Sequence, residues 1–235
     1  MPRPSVLPRL QELAQEQWGL ITRRQMESEG IGPTTIDRLT SPEGVLDRVA
    51  MGVYRLVGSP IPPHMDLRAA WLQLAPGLPA WERAARDGVV SHRSAAAIYG
   101  LGHLPADRHE FTFSTRRQTR RSDVRIHVRR LTDGEWVGLR GLPVTRPSRI
   151  ASDLLFDHED PEAVAQLIAD ALRLAYDYPG TFADRLAPHA ARFGLRKGDG
   201  LALLRWLLEI TGDRDANQWL NEARAEVDLT AKAPT

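Results

Sequence analysis

The chain has 235 residues, 42% of them hydrophobic and 26% charged, with 31 Lys plus Arg against 30 Asp plus Glu for a formal net charge of +1. That length holds one sizeable domain plus a small one, and the composition is ordinary for a soluble globular protein. Zero cysteine excludes disulfides, thiol catalysis and cysteine-ligated zinc, and fits a reducing cytoplasm; no apolar run nears the roughly 18–20 residues that span a bilayer, and MPRPSVLPRL lacks the hydrophobic core of a signal peptide.

Residues 5–18 place Leu7, Leu10, Leu13 and Ala14 near one stripe of a short amphipathic helix. From Trp18 to Val57 the chain reads WGLITRRQMESEGIGPTTIDRLTSPEGVLDRVAMGVYRLV. Thr22 and Gln25 have capping-box spacing, and Ile21 with Met26 are placed for a hydrophobic staple. Gly30-Ile31-Gly32 ends this first helix, because glycine tolerates the positive φ of a helix terminus. Pro33 suits the first position of a second helix, where its missing N–H has no partner to lose. There Ile36 and Leu39 face inward, leaving Thr34, Thr35, Asp37 and Arg38 outside. Val45–Val49 and Val53–Val57, separated by Ala50-Met51-Gly52, read as a hairpin. Helix, turn, helix, hairpin is the winged helix-turn-helix order, which puts the second helix in the DNA major groove. Charge argues for caution: residues 1–60 carry seven Arg and seven acids, so a groove binder here must concentrate its positive charge on one face.

Gly58-Ser59-Pro60 with Pro62-Pro63 is the best linker candidate, and the expected domain boundary lies there, with domains at 1–60 and 61–235. Helices are expected at 65–75 and around Trp81–Ala85. Ser91 is a natural N-cap for a small-residue helix ending near Gly100, in which Ala95, Ala96 and Ala97 permit close approach of another element. His92 and Ser94 invite comparison with a base and a nucleophile, but no Gly-x-Ser-x-Gly elbow surrounds Ser94. They read as a cap and its polar contacts.

HEFTFS and VRIHV, between His109 and Val128, alternate as two strands. Their connection and flank hold the strongest charge cluster: residues 115–130 carry seven Arg (116, 117, 120, 121, 125, 129, 130) against Asp123. A hairpin tip with Arg116, Arg117, Arg120 and Arg121 is a candidate phosphate contact, weighed against a solvated loop in an Arg-biased protein, since all basic residues but Lys197 and Lys232 are Arg. No aromatic is interleaved at the tip, which favours duplex backbone over single strands. A strand is expected at Leu142–Thr145, then a helix after Pro147. Asp160-Pro161-Glu162 opens a longer helix, and Thr181 and Asp199 are the expected caps of two more. Asp157-His158-Glu159-Asp160 resembles a metal site in composition only and reads as a helix junction. LALLRWLLEI (201–210) is apolar on nearly every face, fitting the buried centre of a bundle or, less favoured, a subunit interface; a final helix is expected near Ala216–Ala225, and VDLTAKAPT reads as a frayed tail. Residues 153–228 hold fifteen acids against eight basic residues, a poor DNA surface and a better candidate for protein contacts.

The motifs GLITRRQ, TTIDRL and RVAMGVYRL in the first 58 residues resemble the AbiEi family of antitoxins, and the likeness continues through VVSHRSAAAIYGL (89–101), VRIHVRR (124–130) and GLPVTRPSRIASDLL (141–155). Gly-Val-Tyr at 52–54 and Ser-His-x-Ser-Ala-Ala at 91–96 carry most of its specificity. The resemblance implies an N-terminal winged helix that represses its own toxin–antitoxin operon by binding inverted repeats, and a C-terminal domain that counters a nucleotidyltransferase-like toxin in phage defence. Relatives commonly place basic residues before and within the wing, where this chain has Val45 and Met51, so wing contacts to phosphate would fall to Arg48 and Arg55. Some relatives append a nuclease-like domain; this chain has no Glu-x-Lys.

The expected architecture is therefore α+β: an N-terminal winged helix-turn-helix, then a mixed domain with a small sheet at about 109–145 and a helical bundle at about 147–226. The expected function is a cytoplasmic bacterial DNA-binding antitoxin without catalytic residues, metal or cofactor, whose partners are double-stranded operator DNA and a cognate toxin. Thr34, Thr35 and Arg38 are the candidates for base edges, Arg being able to form a bidentate pair with guanine. Arg23, Arg24, Arg48 and Arg55 are candidates for phosphate, with Arg116, Arg117, Arg120 and Arg121 adding backbone affinity. The rival is a protein-interaction module that captures the toxin directly and uses the winged helix only as scaffold. A hydrolase or nuclease is a distant third, because no Walker loop, triad or metal spacing is visible.

Overall fold

The computed structural model describes residues 6–232. The chain divides into two compact units. The first runs to Val89 and adds Thr112–Arg130 and Gly138–Pro143; the second takes Val90–Phe111, Leu131–Val137 and the chain from Val144 on. The expected boundary at 58–63 thus falls inside the first unit, whose polar wiring crosses it.

In the first unit, α1 (Val6–Gln15) leads to β1 (Leu20–Thr22), α2 (Arg23–Ser28), α3 (Pro33–Leu39) and the hairpin β2 (Leu46–Ala50) and β3 (Val53–Leu56). The three strands form one antiparallel sheet in the order β1-β3-β2, with Ile21 opposite Tyr54 and Arg48 opposite Tyr54 on the other side. Leu10, Leu13, Ile21, Met26, Ile31, Ile36, Leu46 and Tyr54 make the core beneath them. Leu7, expected on the same stripe, is 37% exposed. Both halves of the Thr22–Gln25 capping box form.

The end of α2 explains its turn. Gly30 lies at φ +77°, the Gly30 N–H donates to the Glu27 carbonyl and the Ile31 N–H to the Met26 carbonyl. This is a Schellman arrangement, with Ile31 and Met26 meeting in the core. Pro33 then starts α3 at its first position.

After the hairpin, α4 (Met65–Leu74) stays in this unit and is buried from Leu67 to Leu72. Two single 3-10 turns, Ala80–Glu82 and Ala85–Asp87, replace the helix expected at 81–85. The reason is Arg83, which lies between them and reaches back to the carbonyls of Leu72, Ala75 and Leu78 at 2.7–3.2 Å. It closes the open end of α4 while its guanidinium covers the Trp71 ring at 4.3 Å.

The remaining strands, β4 (Val89–Val90), β5 (His109–Phe113), β6 (Val124–Val128), β7 (Trp136–Leu139) and β8 (Leu142–Thr145), are ordered β6-β5-β4-β8-β7. Val90 and Val144 face each other in a parallel pair. β5 has neighbours on both edges and is buried from Glu110 to Phe113, where alternation predicts a half-exposed strand.

The second unit carries α5 (His92–Tyr99), α6 (Pro147–Phe156), α7 (Pro161–Arg173), α8 (Pro179–Leu186), α9 (Gly200–Thr211) and α10 (Ala216–Lys232). α5 packs on α6 through its small residues, Ala95 and Ala96 being fully buried. Asp160 and Asp199 cap α7 and α9 as expected. Thr181 does not cap α8, which begins earlier at Pro179 with Tyr178 as its N-cap. α9 buries Leu203, Leu204, Leu207 and Leu208 against α7 and α8. The last helix runs on to Lys232, so most of the expected tail is helical; its final three residues lie outside the described chain. The described residues form a mixed α+β structure with two small sheets and many helices.

Candidate nucleic-acid interface

The site is built on α2, α3 and the β2–β3 turn. Beneath it lies a reciprocal amide pair: Gln17 Nε2 donates to Gln25 Oε1 at 2.7 Å, and Gln25 Nε2 donates back to Gln17 Oε1 at 3.1 Å. Gln25 Oε1 also accepts the Thr22 N–H, and its Nε2 donates to the Leu78 carbonyl at 3.1 Å. The Thr22 hydroxyl donates to the Pro76 carbonyl, and Gln17 Oε1 accepts the Ala80 N–H at 3.3 Å. Both glutamines and Thr22 are buried. Residues 76–80 therefore lock the start of α2 and the turn that precedes β1.

On α3, Ile36 is fully buried and Leu39 partly so, while Thr34, Asp37 and Arg38 are exposed and Thr35 is half-buried. Ile36, Leu39, Thr34, Asp37 and Arg38 lie on the sides expected from sequence, whereas Thr35, expected on the outer face, is half-buried. Arg23 links the helices: its Nε bonds Glu27 at 3.1 Å and its Nη1 bonds Asp37 at 3.3 Å. The Glu27 hydrogen bond first, then Asp37, raises its pKa. Arg24, with 72% of its side chain exposed, lies 3.6 Å from the same Glu27.

The hairpin arginines differ. Arg48 is exposed and has no ion pair among the described residues. Arg55 is turned to the protein, donating to Asp47 at 2.8 Å and to the Ser59 carbonyl at 2.6 Å, with 18% of its side chain exposed.

Met51, at the hairpin turn, is 76% exposed and lines two clefts. One, of about 420 Å³, is lined by Arg23, Arg24, Glu27, Gly52, Gln73 and Pro76 as well as Met51. The other, of about 230 Å³, is lined by Met51, Gln73 and Leu74 together with the loop from Arg117 to Arg121. Gln73 joins them: its Nε2 donates to the Met51 carbonyl at 2.7 Å, and its Oε1 accepts from Arg121 Nη1 at 2.5 Å. Arg121 is also clamped by Asp123, whose hydrogen bond is the main cause of its raised pKa. Arg116, Arg117 and Arg120 are exposed and make no ion pair among the described residues; Arg117 lies 5.4 Å over the Phe113 ring. The structure thus brings Arg117, Arg120 and Arg121 beside the same hairpin turn that borders Arg23 and Arg24. Gln73 is the residue that sequence reasoning missed, since nothing distinguishes it within a helical run.

Several residues of the two clusters that suggested chemistry make structural contacts. Ser91 is the N-cap residue of α5, as expected from sequence, but its side chain makes no capping hydrogen bond: its Oγ meets His92 Nδ1 at 2.9 Å, and Glu110 from β5 accepts the Arg93 N–H at 3.0 Å instead. A carboxylate at a helix N-terminus is electrostatically favoured there. Ser94 Oγ donates to the Arg108 carbonyl and accepts the Glu110 N–H. In the 157–160 cluster, His158 takes a left-handed turn at φ +62°, Glu159 pairs with Arg93 at 2.6 Å and Asp160 caps α7.

Residues 8–57, the segment from α1 through the hairpin, match the family model described as transcriptional regulator, AbiEi antitoxin. Among solved structures, the RV2827C protein from Mycobacterium tuberculosis shares the fold at 18% identity with a TM-score of 0.51, covering 92% of this chain and 80% of that one. No curated protein matches the chain.

Proposed function

We propose that this protein is a DNA-binding antitoxin that represses its own operon, with residues 18–57 acting as a winged helix-turn-helix whose recognition helix is α3. The observation that carries the reading is the outward face of α3, bearing Thr34, Asp37 and Arg38, within a segment that matches a family of transcriptional regulators. Arg38 is exposed and has no ion pair among the described residues, so its guanidinium is available to a guanine edge in the major groove. Thr34 and the half-buried Thr35 flank it at the start of the helix. Arg23, Arg24 and Arg48 touch phosphate and set the register. Arg55, already engaged by Asp47, supports the hairpin rather than the duplex. The buried Gln17–Gln25 pair fastens the start of α2, which carries Arg23 and Arg24, to the turn before β1.

Arg38→Ala tests the assignment on a duplex from upstream of the protein's own gene. A bidentate contact is worth about 1–3 kcal/mol, so the variant is expected to bind roughly ten- to hundredfold more weakly and to lose preference at one base position. Unchanged affinity and preference would mean that α3 does not read the bases.

A second reading has its own support. Residues 153–228 carry fifteen acids against eight basic residues, which suits a protein partner rather than DNA. In this reading the second unit captures a nucleotidyltransferase-like toxin directly. Co-purification with the product of the adjacent gene, run beside the promoter shift assay, separates the two activities, and both belong to one antitoxin if both are found.

A further inference from the structure

The DNA-binding reading leaves the head short of free positive charge. Arg9 is paired with Glu12 and Glu29, Arg23 with Glu27 and Asp37, Arg24 with Glu27, and Arg55 with Asp47. Only Arg38 and Arg48 of α2, α3 and the hairpin stand outside an ion pair among the described residues. The hairpin tip, where a duplex backbone would pass, presents the thioether of Met51. Non-specific affinity for a duplex comes from neutralised phosphates, so another part of the unit must supply them.

Resting on that reading, we infer that the loop from Arg116 to Arg121 is the phosphate clamp of this protein, standing in for a basic hairpin tip, and that Gln73 is the positioning residue that holds it there. Three observations carry this. The loop and Met51 line one cleft of about 230 Å³. Gln73 hydrogen-bonds the Met51 carbonyl with one end of its amide and Arg121 with the other. Arg121 is itself held by Asp123, so the loop's four arginines divide into one anchor and three cations, Arg116, Arg117 and Arg120, that are solvent-exposed and outside any ion pair among the described residues. Because Met51 and Gln73 line both this cleft and the one bordered by Arg23 and Arg24, a sugar-phosphate strand that follows one cleft is led into the other. No exposed aromatic lies between Ser114 and Arg121 to stack on an unpaired base, so the occupant is a duplex backbone.

The test measures binding of the full chain to a mixed-sequence DNA duplex and to a duplex from upstream of its own gene across a salt series. Each neutralised phosphate contributes about 0.9 to the slope of log affinity against log salt. The triple variant R116Q/R117Q/R120Q is expected to flatten the slope by about 2.7 on both duplexes while keeping the base preference of the parent protein. Gln73→Leu, which removes no charge, is expected to flatten the slope in part with an unchanged thermal midpoint, and the triple variant in that background should lose less than in the parent. If the parent binds duplex and R38A disturbs its preference but the triple variant leaves the slope unchanged, the clamp assignment alone fails. Failure of the parent to bind any DNA duplex overturns both readings. Slope loss seen on an RNA duplex but not on DNA overturns the choice of ligand.

Discussion

Glu135 shows how one side chain organises its surroundings. Its Oε1 accepts from Arg149 and Arg185 at 2.7 Å each, and its Oε2 accepts the Thr132 N–H at 2.6 Å. Burial works to raise its pKa, but the Thr132 N–H and the two guanidiniums outweigh it and hold the carboxyl below its ordinary value of 4.5. A folded-state value below the unfolded one adds stability that is complete above pH 4.5 and is lost as pH falls through the folded value. Glu135→Gln is therefore expected to cost roughly 2 kcal/mol at neutral pH, the scale of hydrogen bonds to charged groups. It should also shed that part of the acid-induced loss below pH 4.5, so parent and variant converge in acid. Urea titrations at pH 7 and at a series of pH values below 4.5 measure both effects, and parallel curves at all pH values would remove Glu135 from the acid transition. Arg68 is a different solution to burial. Lying 4.2 Å over the Trp18 ring and bonded to the carbonyls of Pro63 and Arg140, it has its pKa lowered to about 10 by burial and then by Arg140.

At the scale of elements, turn chemistry decides where helices stop. Gly30 ends α2 at φ +77°, and a Cβ there would meet nothing within 4 Å. Gly30→Ala therefore adds backbone strain alone, about 1–2 kcal/mol. Gly44, between α3 and β2, differs: a Cβ would lie 2.1 Å from the Leu39 carbonyl oxygen, a backbone atom that cannot swing aside. Gly44→Ala is expected to cost more than Gly30→Ala in chemical denaturation; the reverse order would show that the chain between α3 and β2 relaxes freely. These punctuation signals are what made the segment 18–57 legible. The Thr22–Gln25 box, the Gly30 stop and the Pro33 start are set by neighbours within four residues, and local rules suffice for them. Ser91 is the N-cap residue as expected, but its side chain leaves the first-turn N–H to a group that local rules do not reveal. Its helix is capped by Glu110, nineteen residues away along the chain, on a strand whose position follows from tertiary pairing. Thr181 failed because a proline at the first helical position, Pro179, was an equally good local signal and lay closer to the true start. Of the candidate site, the exposed face of α3 could be read from periodicity. The link through Gln73 could not, because it joins segments far apart in sequence through one amide.

For the molecule as a whole, the placement of buried polar groups bears on where the chain can be cut. Gly58 to Pro63 has the composition of a linker, yet three buried side chains before it find partners after it. The Thr22 hydroxyl donates to Pro76, the Gln25 amide to Leu78, and Gln17 accepts from Ala80. Trp18 Nε1 reaches further, to the Arg140 carbonyl at 3.2 Å, and its ring packs on Trp71. A fragment ending at residue 60 keeps every residue of the head's apolar cluster but strands these groups. Each buried polar group left unpaired costs about 1–3 kcal/mol, and a domain of about 60 residues has little stability to lose. Fragment 1–60 is therefore expected to melt without cooperativity and to bind DNA far more weakly than the full chain, although it contains every arginine of α2, α3 and the hairpin. Circular dichroism melts of the fragment and the full chain decide this. A sharp transition in the fragment would mean that Thr22, Gln25 and Gln17 re-pair with water at no cost, and that the proline-rich stretch is a true domain boundary.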